Sequence, residues 1–169
     1  MNKKKSSKDR LRESKFKLDA LLDITLSINA NLPTEALLAK YESILRNDLG
    51  IGKILIFKHS IVWECLLNGG FPAGLEYRIN VETDLLKFTE IEFVTEDNYY
   101  EGIDIIIPVY NNNSPLAFVL IGDIEEEGEG VSPVIRHLNF IQTISSIILV
   151  AIENIRLFKE SLRQEMKSL

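Results

Sequence analysis

The sequence predicts an α+β fold, a central antiparallel sheet with the N-terminal and C-terminal helices packed on one face. Three observations predict it. Two pairs of short apolar, β-branched segments are each joined by a tight turn, a pair of amphipathic helical patterns precedes them, and one long apolar helical pattern follows them. The chain has 169 residues, 46% hydrophobic and 26% charged, which suffices for one core and would be cramped for two.

The first seventeen residues carry eight Lys and Arg against two acids, a local +6 on a chain whose net charge is −6. Lys3, Lys4, Lys5, Lys8, Arg10 and Arg12 lack interleaved aromatics and any recognisable binding fold beside them. Residues 1–15 are therefore expected to be a solvated basic arm or a backward extension of the first helix, and no nucleic-acid partner is expected. Contact with anionic lipid is the minor alternative for such an arm. From Phe16 to about Ala30, Leu18, Leu21, Leu22, Thr25 and Ile28 fall at helical spacing. Asn31-Leu32-Pro33 breaks that helix, Pro33 suits the first turn of a second, and Leu37, Leu38, Tyr41, Ile44 and Leu45 form its buried stripe. Gly50 and Gly52 end it.

Lys53–Lys58 and Ile61–Leu67 read as a hairpin turning at His59-Ser60. Residues 68–74 are turn-rich, and the acid-rich stretch from 75 to 102 is the least regular, with a short helix expected near Glu82–Phe88 and a strand at Ile91–Val94. Ile103–Tyr110 and Leu116–Ile124 form a second hairpin whose loop tolerates positive φ through Asn111, Asn112 and Asn113. Their nearly continuous apolar character suits central strands covered on both faces. The acidic run from Glu125 to Gly130 is expected to be a solvated connection, and Ser132-Pro133 reads as an N-cap with Pro at the first helical position.

The helix that follows shows no breaker before Leu169, and at 1.5 Å per residue it would span roughly 55 Å, more than the ~25–30 Å of a compact body of this size. It must project. Its first part is apolar nearly all round, and its second thins to a seam at 141, 144, 148, 151, 155, 158, 162, 165 and 169, with only Glu165 polar. A parallel homodimer is expected, its interface built from Leu18, Leu21, Ile28, Ile144, Ile148, Ala151, Ile155, Phe158 and Leu162. No C-cap glycine closes the helix, so residues 161–169 are expected to begin a coiled-coil linker to an output domain.

The element order, with the stretches IPVYNNNSPLAFVLIGD and ILVAIENIRLFKESL, resembles the GAF domain family over about residues 16–160. Pro108, Gly122, Ala151, Ile152, Glu153 and Asn154 carry the resemblance. It implies a sensory or regulatory, non-catalytic domain with the terminal helices on one sheet face and a ligand pocket under the irregular segment on the other. The tail FKESLRQEMKSL is similar to linkers that join GAF domains to bacterial output modules such as sporulation-type serine/threonine phosphatases or histidine kinases. Cyclic-nucleotide members of the family share an Asn-Lys-x-x-Phe-x-x-x-Asp-Glu stretch that this chain lacks, and bilin attachment needs an exposed cysteine where Cys65 is expected mid-strand.

An enzyme is not expected. GAF-like methionine sulfoxide reductases need a second thiol to resolve a sulfenic acid, and Cys65 is the sole cysteine. Cys65 alternates with Trp63 and Leu67 and reads as a buried, inert thiol. His59 and His137 have no ligand partners at metal spacing, and no phosphate-binding loop, nucleotide fingerprint or nucleophile elbow is present, so neither a metal nor a cofactor is expected. The sole cysteine and the lack of an apolar run of ~18 residues place the chain in a reducing cytoplasm without membrane insertion. Trp63, Phe71, Tyr77, Leu86, Phe88 and Phe93 are the candidate ligand-binding residues, for a small neutral or cationic molecule, if they do not simply fill the core. Two functions follow: a dimeric domain transmitting a small-ligand or conformational signal through its terminal helices to an effector, or a ligand-free dimerisation scaffold.

Overall fold

The computed structural model describes residues 7–94, 102–124 and 133–169. The lysines at 3–5, the acidic run 125–130 and the cap at Ser132 lie outside the described residues. Helix α1 spans Ser7–Asn29 and ends on Asn31 in the left-handed region, a conformation asparagine adopts more readily than most residues. Pro33 takes the N-cap position of α2, Thr34–Ser43. Its last turn widens into a π-turn over Ile44–Asp48, where the Leu49 amide donates to the Ile44 carbonyl at 3.0 Å, and Gly50 at φ 73° redirects the chain into the sheet.

The sheet comprises β1 (Ile51–His59), β2 (Trp63–Gly69), β3 (Glu92–Phe93), β4 (Ile105–Asn111) and β5 (Ser114–Ile124) in the order β2-β1-β5-β4-β3, every neighbouring pair antiparallel. This is the α+β architecture expected from the two hairpins. β4 and β5 turn through Asn112 and Asn113 at φ 51° and 65°, the paired left-handed residues of a type I′ hairpin. Four local expectations are corrected. The helix expected near Glu82–Phe88 is replaced by two single turns, α3 (Leu75–Arg78) and α4 (Val81–Asp84), the latter capped by Asn80 accepting from the Glu82 and Thr83 amides. The strand at Ile91–Val94 shrinks to the two residues of β3. The first hairpin turns over residues 60–62 rather than at His59-Ser60. The last helix breaks at His137 into α5 (Pro133–Arg136) and α6 (Leu138–Ser168).

The core has two layers. On one face α1, α2 and α6 pack over Ile54, Ile56, Ile105, Ile107, Val109, Ala117, Val119 and Ile121, with Ile24, Leu37, Tyr41, Ile141, Ile144, Ile148 and Leu149 filling the space between. On the other, α3 and α4 cover Leu55, Phe57, Ile106, Phe118 and Leu120 with Phe71, Leu75, Ile79, Val81 and Leu85. β1 and β5 are buried on both sides, as their unbroken apolar runs require, and each fully buried Leu, Ile or Phe contributes roughly 1.5–3 kcal/mol. α6 is by length and composition apolar enough to cross a membrane, contrary to the expectation from run length, yet 44% of its most apolar window is buried inside the domain.

Candidate functional site

Among the open regions of the described residues, two offer aromatic or apolar surface to a ligand or partner, one on each face of the sheet. On the face away from the long helices, the expected aromatic set does not enclose a single cavity. Phe71 is buried in the centre, Leu86 and Phe88 pack half-buried at its margin, Phe93 is 48% exposed on the far edge strand, and Tyr77 is 88% exposed on α3. Only Trp63 and Tyr77 share a cleft, of about 470 Å³, between the edge strand β2 and the α3–α4 turns. Phe57, Val62, Glu64, Cys65, Glu76, Ile79, Asn80, Val81 and Glu82 line the rest.

A β-bulge explains why the cleft lies there. The β1/β2 register slips between Ile56 and Phe57, so that Ile56 pairs with Leu67 but Phe57 pairs with Cys65. Trp63 and Cys65 thereby face the α3–α4 side, while Leu66 and Leu67 pack with the helix-side core. Strict alternation had put Trp63, Cys65 and Leu67 on one buried face; the bulge separates them, and Cys65 is exposed. Its thiol is nevertheless pushed up, first by partial burial and then by the Glu76 carboxylate, which keeps it protonated and a poor nucleophile. The Trp63 ring is held edge-on to His59 at 5.2 Å and tilted against Phe118 at 5.4 Å. Glu76 accepts hydrogen bonds from the Asn68 side chain at 3.2 Å and the Gly74 amide at 3.3 Å. Among the described residues no three His, Cys, Asp or Glu side chains gather as a metal site.

The second region belongs to α6. α1 and α6 run in the same direction: the Phe16 ring lies 6.2 Å from that of Phe140, while Ile28 and Leu32 share a groove of about 730 Å³ with Ile147, Val150, Ala151, Ile155, Phe158 and Leu162. α1 therefore enters at one end and α6 leaves at the other, continuing roughly 20 Å past the end of α1. Of the expected interface residues, Ile144 and Ile148 are fully buried inside the domain and Ala151 nearly so, which leaves them no surface for a partner. Ile28 and Ile155 are half-buried along the groove, Leu21 is half-buried against the helix-side core, and Leu18, Phe158 and Leu162 are exposed. Leu22 and Leu26, exposed in line with Leu11 and Leu18, complete an outward α1 stripe that the four-residue spacing 18, 22, 26 could have revealed.

Where α6 leaves the body it is tied to the sheet by ions. Lys58, only 4% exposed at the end of β1, donates to Glu153 at 3.0 Å, and Glu153 also accepts from Arg156 at 2.6 Å. Burial alone would raise the Glu153 pKa, but the hydrogen bonds from Arg156 and Lys58 outweigh it and hold the carboxyl below the usual glutamate range. Higher on the same helix, Ser145 donates to the Ile141 carbonyl at 2.6 Å, which leaves its oxygen to accept the Tyr41 hydroxyl of α2. Burial drives the Tyr41 phenol strongly upward, so it stays a neutral donor.

Neither a protein-family model nor a curated protein matches the chain. Solved structures do. The GAF domain of a Pseudomonas syringae pv. tomato protein described as a sensor histidine kinase aligns over 94% of this chain and 99% of its own, with a TM-score of 0.66 and 11% identity. The GAF domain of a GAF/HD protein from Geobacter sulfurreducens aligns over 77% and 98%, TM-score 0.56, 9% identical. A phycoerythrobilin-bound GAF domain from a cyanobacterial phytochrome aligns over 86% and 99%, TM-score 0.53, 17% identical.

Proposed function

From the premise that this chain has the GAF-domain fold, we propose that it is a non-catalytic regulatory module that dimerises through α1 and α6 and passes a conformational signal along α6 to an attached effector in a cytoplasmic signalling protein. The observation that carries this reading is the course of α6. Its first half is core, its middle is pinned to β1 through Lys58, Glu153 and Arg156, and its second half leaves the body with Leu157, Phe158, Leu162 and Met166 exposed. A stripe of this kind on a projecting helix calls for a partner helix, because lone apolar patches beyond a few hundred Å² are rare on soluble monomers. The parallel course of α1 and α6 suits a module threaded between an upstream and a downstream segment, since any shift of the sheet would reach α6 as a rotation or register change.

Light scattering on the wild-type chain and on an Ile155→Glu/Phe158→Glu variant tests this. The double variant places four like charges in the dimer seam while leaving the sheet core largely untouched, so a dimeric wild type and a monomeric variant that folds by circular dichroism are expected. A wild type that is monomeric at tens of micromolar, or a variant that stays dimeric, overturns the reading. A ligand-free dimerisation scaffold is the second reading, favoured by the packing of Phe71, Leu85 and Phe118 in the centre of the face where the family resemblance implies a ligand pocket.

A further inference from the structure

We propose that the cleft between β2 and the α3–α4 turns binds a small organic cation, held against the Trp63 and Tyr77 rings with Glu76 and Glu82 supplying the counter-charge. Its role as the input of a regulatory module rests on the function proposed above; its occupancy does not. At about 470 Å³ the cleft falls within the ~300–1,000 Å³ of ligand sites, and its floor of Phe57, Ile79 and Val81 is buried and apolar. Such a floor strengthens any electrostatic contact made above it.

The wall chemistry decides the ligand class. Among the described residues no lysine or arginine lines the cleft. Glu64 pairs in register with Lys58 and its carboxylate accepts from the Ser60 hydroxyl at 3.0 Å, which leaves Glu76 and Glu82 to set the sign. An anion would meet two carboxylates over an apolar floor, and a neutral ligand would use the surfaces and leave the charges idle. A cation uses both, because a ring face attracts positive charge through its quadrupole and a carboxylate completes the cage. Preorganisation points the same way. Phe118 and His59 fix the Trp63 ring, and Asn68 and the Gly74 amide both bond Glu76 at Oε2, which fixes that carboxylate without engaging Oε1. The exposed Tyr77 ring then forms an outer wall that binding would bury.

Trp63 is the sole tryptophan, so its fluorescence reports on this cleft alone. Titration with tetramethylammonium chloride is expected to give a saturable change in emission that sodium chloride and the neutral isostere tert-butanol do not reproduce. Glu76→Gln keeps the shape of the carboxylate and Tyr77→Ala removes an exposed side chain, so both variants should fold as judged by circular dichroism. Each is expected to raise the half-saturating concentration about tenfold, the size of a ~1.4 kcal/mol contact. No saturable change, an equal response to tert-butanol, or wild-type affinity in both variants overturns the proposal. The same titration on the Ile155→Glu/Phe158→Glu chain separates the two ideas: a response there establishes the site even if the dimer reading has failed.

Discussion

Gly122 lies where two backbones nearly touch. A methyl group at this position would collide with the Gly102 carbonyl and crowd the Phe71 ring at 3.1 Å, and the backbone cannot yield as a flexible side chain would. Gly122→Ala is expected to lower the unfolding free energy by about 2–3 kcal/mol, read as a shift in the urea midpoint with an unchanged slope. At the base of the projecting helix, removing Glu153 leaves the buried Lys58 ammonium its hydrogen bond to the His59 carbonyl but takes away its counter-charge, whereas removing Lys58 leaves Glu153 with Arg156. Glu153→Ala should therefore cost about 3 kcal/mol and Lys58→Met distinctly less. Because the Glu153 carboxyl titrates lower when folded than when unfolded, its stabilisation is fully present above the unfolded glutamate value, roughly pH 4.3, and is lost as the pH falls through the folded value. The stability gap between wild type and Glu153→Gln should accordingly narrow below about pH 4.

The β4–β5 hairpin depends on two residues that accept left-handed backbone. Asn113→Gly should be neutral or slightly stabilising, while Asn112→Val, β-branched at φ 51°, should destabilise by roughly 1–2 kcal/mol in the same urea assay. α6 divides into two halves with different fates. Phe140 to Ile152 are held by the sheet, α1 and α2, but beyond Arg156 the helix has little intrachain cover, and an unsupported segment of that length is marginal in water. Amide exchange from Leu157 to Ser168 should be fast in dilute protein and slow as concentration rises, whereas exchange at Ile144 to Ile152 should not depend on concentration. Concentration-independent exchange across the whole helix would remove the partner from the picture.

At the scale of the molecule, the fold sets an aromatic cleft at the β2 edge and an apolar groove between α1 and α6 on opposite sides of one sheet. β1 links them, since Phe57 borders the cleft and the neighbouring Lys58 holds Glu153 of α6. A ligand that shifts β1 would thus act on α6 through one peptide unit. Linkage requires the reverse as well: if the two surfaces are coupled, tetramethylammonium should bind with different affinity to the wild-type chain and to its Ile155→Glu/Phe158→Glu variant. Equal affinities, measured by Trp63 fluorescence, would mean that cleft and helix are thermodynamically independent.

Local patterning carried the architecture. The run lengths of β1, β4 and β5, the asparagines of the second hairpin and the 3–4 spacing of α6 each follow from short-range sterics and from which face must be dry, so they were legible one segment at a time. Three features were not. The β2 bulge that separates Trp63 and Cys65 from Leu67 reflects how β2 settles against β1, and no residue within the strand announces it. The acid-rich stretch after β2 has no periodicity to read, so the single turns α3 and α4 emerge only where Leu75, Ile79, Val81 and Leu85 find the sheet. The seam of α6 reads as one continuous stripe, yet Ile144 and Ile148 serve the domain while Phe158 and Leu162 face outward, because helical periodicity gives a residue's azimuth and not the length over which a body lies beside it. The candidate cleft was legible only as a set of six aromatic and apolar candidates: the packing of β2 against α3 and α4 brought Trp63 and Tyr77 to one cleft and separated the others, since contact between residues distant in the chain is a property of the folded whole.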